Sequence, residues 1–162
     1  MKRKLQAGIT YIEIMIGLAM FSLLLTLTTI NFPSIVQKTS LDATVVTTIS
    51  DIKDQQLKAM VGADNTDGNF LSFGVYFEQD KYTLFRGNDY SPTNDTNFVV
   101  ALGTPIRFQT INLPNSRIIF SVRNGEIQNF VNGQDSITFI NTVTNGQKTV
   151  HFSKVGVVTG IN

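Results

Sequence analysis

The sequence predicts an α+β fold in which one long N-terminal helix packs on a mainly antiparallel β-sheet head. Three observations support this prediction. No charged residue occurs from Ile14 to Gln37, so this part of the helix would be apolar. Apolar residues then recur every three or four positions as far as Met60, which is the period of an amphipathic helix. After Asn69 the pattern changes to short runs of alternating apolar and polar residues, which is typical of strands.

The apolar run is long enough to predict a transmembrane helix over residues 9–32. A helix from Ile9 to Ile30 would measure about 33 Å at about 1.5 Å per residue, against a bilayer core of about 30 Å. The basic residues Lys2, Arg3 and Lys4 precede the run, and only Lys38 follows closely. This asymmetry predicts a single-pass protein of the inner membrane, with its amino end in the cytoplasm and its head outside.

Two simpler explanations of the run are a secretory signal peptide and an uncut membrane anchor. A signal peptide has a shorter apolar region, of about 7–15 residues, and ends at a small-residue cleavage site that is not evident here. Neither explanation gives a role to Glu13. A carboxylate in a spanning segment costs about 2.5–3.5 kcal/mol at mid-helix, so it is expected to have a functional partner.

The start of the apolar run resembles the processing motif of type IV pilins and type II secretion pseudopilins. The resemblance rests on a short basic leader and on the six residues Gly8-Ile9-Thr10-Tyr11-Ile12-Glu13. It implies that a prepilin peptidase cuts after Gly8, leaving residues 1–8 as the leader, and that Ile9 is then N-methylated. Ile9 replaces the commoner Phe and Tyr11 the commoner Leu; both substitutions keep the apolar character.

The resemblance also implies a partner for Glu13. Cleavage creates a new amino group on Ile9, and the carboxylate of one subunit can pair with that group on a neighbouring subunit. A charge left unpaired among packed helices is heavily penalised, whereas a paired one can fix the register of assembly. The alternative is that Glu13 only bonds Thr10 of its own helix or reaches toward the interface.

Pro33 should bend the helix, because proline lacks the N–H group and clashes with the preceding turn. An amphipathic helix over residues 33–61 is expected to follow, and a β-rich head over residues 62–162. The apolar side of this amphipathic helix is predicted to contain Leu41, Val45, Ile49, Ile52, Leu57 and Met60. The predicted strands are Phe70–Phe77, Lys81–Arg86, Phe98–Leu102, Pro105–Ile111, Arg117–Val122, Ile127–Val131, Ser136–Asn141 and Gln147–Phe152.

Three Asn-Gly pairs lie between predicted strands of the head. They are Asn124-Gly125, Asn132-Gly133 and Asn145-Gly146, and each favours a type I′ turn, in which both central residues have positive φ. Within the pilin family, the segment from Phe70 to Asp89 resembles the first hairpin of GspH/FimT-type minor members. The ending FSKVGVVTGIN is similar to the closing strand of that group.

The sequence predicts no enzyme, no cofactor and no metal site. It contains no cysteine and one histidine, His151, in a predicted strand, where a zinc site would lack further ligands. The stretch from Asp64 to Gly68 superficially resembles a calcium loop, but an EF-hand register would place Ala63 and Gly74 at ligand positions.

Nucleic-acid binding is the main alternative, because some FimT-type minor pilins take part in DNA uptake. From Pro105 to Asn162 five basic residues face two acidic ones, Glu126 and Asp135. The Gly-Arg-x-Arg motif of DNA-binding members is absent from the tail. Without the leader, ten Lys and Arg face twelve Asp and Glu, so the bulk charge does not indicate DNA. The five basic residues between Pro105 and Asn162 are Arg107, Arg117, Arg123, Lys148 and Lys154.

The resemblance therefore implies a structural minor pilin or pseudopilin of a type IV pilus or a type II secretion pseudopilus. The expected partners are a prepilin peptidase, other pilin or pseudopilin subunits and, before assembly, lipid of the inner membrane. Gly8 and Ile9 would carry processing, and Glu13 would carry assembly. Two alternatives stay open: a DNA-binding minor pilin, and an uncut membrane-anchored β domain.

Overall fold

The computed structural model describes residues 8, 10–29, 32–62 and 70–162. The chain divides into two units, residues 1–36 and 37–162. The elements of the described residues are two α-helices, eight strands and one short 3₁₀ turn. They are α1 (Tyr11–Thr29), α2 (Phe32–Val61), β1 (Phe73–Phe77), β2 (Lys81–Arg86), β3 (Phe98–Ala101), β4 (Ile106–Asn112), a 3₁₀ turn (Pro114–Ser116), β5 (Arg117–Phe120), β6 (Ser136–Asn141), β7 (Gln147–Phe152) and β8 (Val158–Ile161).

The predicted long N-terminal helix is wrong, since the chain forms α1 and α2 as two helices. The predicted transmembrane segment over residues 9–32 is also wrong, because no helix in the described part of the chain is both long and apolar enough to cross a bilayer. The predicted single-pass location in the inner membrane, and the alternative of a membrane-anchored β domain, fail with it.

Helix α2 presents one face to the head. Its buried residues recur at spacings of four and three, which places them along a single stripe of the helix. The predicted apolar side differs from this stripe at its carboxyl end, where Leu57 is 56% exposed and Met60 is 45% exposed. The residues buried at this end are Gln55 and Ala59, which follow Ile52 at helical spacing. The buried residues of the stripe are Leu41, Val45, Thr48, Ile52, Gln55 and Ala59.

The strands form two four-stranded sheets, and every pairing is antiparallel. The first sheet has the order β3-β2-β1-β5 and the second the order β4-β6-β7-β8. The first hairpin joins β1 to β2 with Phe77 opposite Tyr82, close to the bounds that the alternation predicts. Two bulges interrupt the second sheet, one between Phe108 and Thr110 and one between His151 and Phe152.

Among the described residues, one hydrophobic core lies between α2 and the two sheets. The ring of Phe108 in the second sheet is 5.5 Å from the ring of Phe77 in the first sheet, at an edge-to-face angle of 86°. On its other side Phe108 lies 4.8 Å from Phe139, between ring centroids. These aromatic contacts join the sheets, because the three rings are 2% exposed or less.

The predicted strand Ile127–Val131 does not form. The segment makes only isolated bridges, from Phe120 to Ile127 and from Val131 to Gln134. Positive φ angles at Gly125, Asn129 and Gly133 turn the backbone repeatedly, so a continuous ladder is excluded there.

Candidate functional site

The sequence places the candidate site at the beginning of α1, around Gly8 and Glu13. Gly8 lies before the helix in non-helical conformation and is exposed. A Cβ atom added at this glycine would meet no other atom within 4 Å. The backbone at Gly8 is therefore sterically open on the side of the missing side chain. Ile9 and the leader residues Lys2, Arg3 and Lys4 lie outside the described residues.

Glu13 is exposed and caps its own helix. Its backbone N–H donates to the carbonyl of Thr10 over 3.1 Å, which closes the first turn of α1. Its side-chain Oε2 accepts two bonds from Thr10, one from the backbone N–H and one from the hydroxyl, each 3.4 Å long. The carboxylate also lies at the positive end of the helix dipole, which favours it there.

Thr10 is the residue whose capping position the sequence interpretation overlooked. Thr-x-x-Glu directly before an apolar run is the signature of a capping box, with Thr at the N-cap and Glu three residues later. The structure shows one half of this motif, the bond from the Thr10 N–H to the Glu13 carboxylate. This bond within α1 is the alternative to a role for Glu13 in pairing with another subunit. Both side-chain bonds are near the upper limit for a hydrogen bond, so they hold the carboxylate weakly.

The rest of α1 is apolar on all sides. Glu13 is the only charged residue between Tyr11 and Thr29. The large apolar side chains from Tyr11 to Leu25 are each 51–78% exposed, and they occupy positions around the whole circumference of the helix. Exposed apolar surface of this extent usually marks an interaction site.

The five basic residues from Arg107 onward do not form a free cationic face. Arg117 lies 3.1 Å from a carboxylate oxygen of Asp89, Lys148 lies 2.7 Å from one of Asp42, and Lys154 lies 3.5 Å from one of Glu126. Carboxylates that already pair with these cations weaken the attraction of this surface for phosphates.

The other two of these five basic residues, Arg123 and Arg107, do not form a phosphate-binding surface either. Arg123 stacks over the ring of Phe70, 4.5 Å from its centroid. Arg107 is exposed on β4, and among the described residues it has no carboxylate partner. A single free arginine contributes one phosphate contact, which is a weak basis for nucleic-acid binding.

The head shows few groups that could act in chemistry. His151 on the inner strand β7 faces the Asp135 carboxylate at 3.7 Å. Within the described ranges, no three His, Asp or Glu residues gather as a metal site would require. The predicted calcium-like stretch from Asp64 to Gly68 lies outside the described residues. An open cavity of about 450 Å³ lies between α2 and the first sheet and is lined in part by Lys58, Phe73 and Phe98.

Comparison with known proteins identifies no relative: no family model, no curated protein and no solved structure matches the chain.

Proposed function

We propose that this protein is a structural subunit of a filament of the type IV pilin or type II pseudopilin class, processed after Gly8 by a prepilin peptidase. In the assembled filament, α1 packs against α1 of other subunits. Glu13 then pairs with the amino group of Ile9 on a neighbouring subunit. The unit from Gln37 onward, which contains the β-rich head and most of α2, is the part exposed on the filament.

The observation that carries the proposal is the surface of α1. Its apolar side chains are exposed around the whole helix, so burial against several neighbours would remove far more apolar area from water than burial against one. A helix that is apolar all round is typically buried on all sides. A bundle of identical helices provides that environment.

The geometry around Gly8 supports the processing step. The residue is exposed, lies outside the helix and has no neighbouring atom where its Cβ would be. A peptidase needs an accessible backbone next to the bond it cuts, and Gly8 lies in an exposed, non-helical position before α1. The cut would leave Ile9 as the first residue, four positions before Glu13.

The weak capping bonds leave Glu13 available for a stronger partner. Two neutral donors at 3.4 Å hold the carboxylate less firmly than a charged amine at close range would. Within packed apolar helices an unpaired carboxylate would be strongly destabilising, so a cationic partner is required there. The amine created by cleavage meets this requirement without any further residue.

A pair of substitutions separates the assembly role of Glu13 from its capping role. Glu13→Gln keeps an acceptor at the third helical position, where Gln also completes a capping box, but it removes the charge. Thr10→Val removes the hydroxyl donor and keeps the charge. Each variant should be expressed in the native host, with the amount of subunit in sheared filaments measured by quantitative immunoblot.

We expect Glu13→Gln to reduce incorporation about tenfold or more, because it breaks a buried ion pair. Thr10→Val should remain close to the wild-type level. Normal incorporation of Glu13→Gln would remove the charge-pairing role and leave Glu13 with helix capping alone. The level of precursor in the cells is the control, since neither substitution alters Gly8.

A further inference from the structure

Strand β3 forms an open edge of the first sheet. Phe98 is 65% exposed and Val99 is 55% exposed, and no charged residue occurs from Asn97 to Ile106. Proteins that remain monomeric usually protect such an edge with a charged side chain or a bulge, because its free backbone groups attract another strand. The uncharged edge of β3 therefore indicates an interaction surface.

The direction of the backbone groups along β3 follows from its pairing with β2. Leu102 donates its N–H to the carbonyl of Asp80 over 2.8 Å, and Val100 lies directly opposite Tyr82. Hydrogen-bonded pairs alternate along an antiparallel ladder. The N–H and C=O groups of Val99 and Ala101 therefore point away from β2, and among the described residues they have no partner.

A cavity of about 240 Å³ lies beside β3 on the side that faces α2. Val100 and Leu102 line it on the side of β3. Small side chains line it on the side of α2: Ser40, Ala43, Thr44, Thr47 and Thr48. Phe98 projects to the same face of the sheet as Val100, because side chains alternate along a strand. An apolar cavity of about 150 Å³ accepts benzene, so this space is large enough for a phenyl ring.

We propose that β3 pairs antiparallel with β3 of a second copy of this chain, about a two-fold axis at Val100. In this register Val99 of one copy hydrogen-bonds with Ala101 of the other, and the reverse, so that all the outward backbone groups are satisfied. Phe98 then lies opposite Leu102 of the second copy. Its ring enters the cavity beside that strand, and the same contact occurs twice.

Self-pairing fits this edge because each copy supplies both halves of the contact. The exposed ring of Phe98 and the cavity beside Val100 and Leu102 lie on the same face of β3. Because the two strands run antiparallel about a two-fold axis, the Phe98 ring of each copy lies beside the cavity of the other. The pairing joins the two first sheets into one of eight strands.

This pairing does not depend on the proposed function. The subunits of a polar filament all point in the same direction, so the filament's own symmetry does not generate a two-fold axis between neighbours. The contact would join heads from two filaments, or two subunits that have not assembled.

Engineered cysteines test the register directly, because the natural chain contains none. At the two-fold axis Val100 faces Val100 in a non-hydrogen-bonded pair, with Cα atoms about 4.5 Å apart, which permits a disulfide. Val99 is diagonal to Val99 of the second copy, at about 7–8 Å, which is too far. The full-length variants Val100→Cys and Val99→Cys should be oxidised gently and separated on non-reducing gels, with the exposed turn variant Val143→Cys as the control for collisions.

We expect a disulfide-linked dimer for Val100→Cys at a yield about tenfold or more above Val143→Cys. Val99→Cys should not exceed the control. Equal yields for all three variants, or none above background, would overturn the proposal. Cross-linking of Val99→Cys alone would overturn the register and the insertion of Phe98.

Two further changes in the Val100→Cys background test the contacts themselves. Val99→Pro removes an outward N–H donor, whereas the matched control Val99→Thr keeps it. Phe98→Ala removes the ring without altering the backbone. Val99→Pro and Phe98→Ala should each lower the yield of dimer about tenfold, with Val99→Thr unchanged. Thermal melting of each variant confirms that the head is folded, and an unchanged yield in both folded variants would contradict the proposal.

Discussion

The hydroxyl of Tyr82, in the middle of the first sheet, donates a hydrogen bond of 2.5 Å to the carboxylate of Asp51 on α2. Tyr82 is 1% exposed, so its ring lies in the core while its hydroxyl reaches the helix. The bond links α2 to the middle of the first sheet. A charged acceptor makes it stronger than a neutral hydrogen bond.

Removing this hydroxyl should destabilise the head. Tyr82→Phe keeps the ring and leaves the Asp51 carboxylate without its donor, at a cost of about 1.5–3 kcal/mol in the free energy of unfolding. Urea denaturation followed by circular dichroism measures the difference. Tyr76→Phe is the matched control, since that tyrosine stacks on Tyr90 through its ring. Equal stability of the wild type and Tyr82→Phe would show that the bond contributes nothing.

The same tyrosine should make stability depend on alkaline pH. Burial, and then the hydrogen bond and the negative charge of Asp51, raise the pKa of Tyr82 above its ordinary value of 10.0. In the unfolded chain the phenol ionises near pH 10, whereas in the folded chain it stays neutral. The neutral phenol of Tyr82 therefore stabilises the folded chain fully below pH 10, and this stabilisation is lost as the pH rises above 10.

Urea midpoints at about pH 9 and about pH 11 test the sign of this dependence. The wild type should lose more stability between the two values than Tyr82→Phe does, because the variant has no phenol to ionise at this position. A wild type and variant with the same loss would contradict the assignment to Tyr82.

Gly74 in β1 is required by close packing. A Cβ at this position would lie 2.5 Å from the ring of Phe85 and 2.6 Å from the carbonyl oxygen of Ile118, which belongs to the neighbouring strand. Gly74→Ala should therefore destabilise the head by about 1–3 kcal/mol. Gly103→Ala is the matched control, because nothing lies within 4 Å of its Cβ position. Chemical denaturation of both variants gives the comparison, and similar midpoints would exclude the steric effect.

Gln56 ties α2 to two loops of the head. Its side-chain amide nitrogen donates to the carbonyls of Gly125, over 2.9 Å, and of Val155, over 2.8 Å. Gln56→Ala should cost about 1–3 kcal/mol, because two carbonyls lose their donor. Lys53→Ala, on the exposed side of the same helix, should change stability by less than about 0.5 kcal/mol. Hydrogen exchange at the two loops should rise only in Gln56→Ala, and unchanged exchange would argue against this role.

The strands were predictable where apolar and polar residues alternate beside short turns. Ser136–Asn141 and Gln147–Phe152 have the predicted bounds, and Phe98–Leu102 is one residue shorter in the structure. The segment from Ile127 to Val131 also alternates, but its turns at Arg123, Asn129 and Gly133 interrupt pairing. Alternation alone does not reveal a left-handed residue such as Asn129 in the middle of a run.

The three Asn-Gly pairs were wrongly predicted to form type I′ turns. Only one residue of each pair has a positive φ angle: Gly125, Gly133 and Asn145. At the hairpin between β6 and β7 the buried Asn141 explains the difference. Its side-chain oxygen accepts bonds from the N–H groups of Val143 and Thr144, which builds a longer loop.

The N-terminal part shows the limit of composition as evidence. The apolar run predicted a spanning helix over residues 9–32, but no helix in the part of the chain that the structure describes is both long and apolar enough to cross a bilayer. The Glu half of the capping box, in which the Thr10 N–H donates to the Glu13 carboxylate, was readable from sequence spacing. Whether the same carboxylate also meets a second subunit depends on contacts between chains, which a single sequence does not specify.

The most direct test of the filament proposal is the intact mass and N-terminal peptide of the protein purified from its native host. We expect a chain that begins at Ile9 and carries one added methyl group on its amino nitrogen. Gly8→Val should accumulate as the full-length precursor in the same cells. A wild-type chain that still begins at Met1, in cells with an active prepilin peptidase, would contradict the proposed processing and with it the pairing of Glu13 with a new amino group.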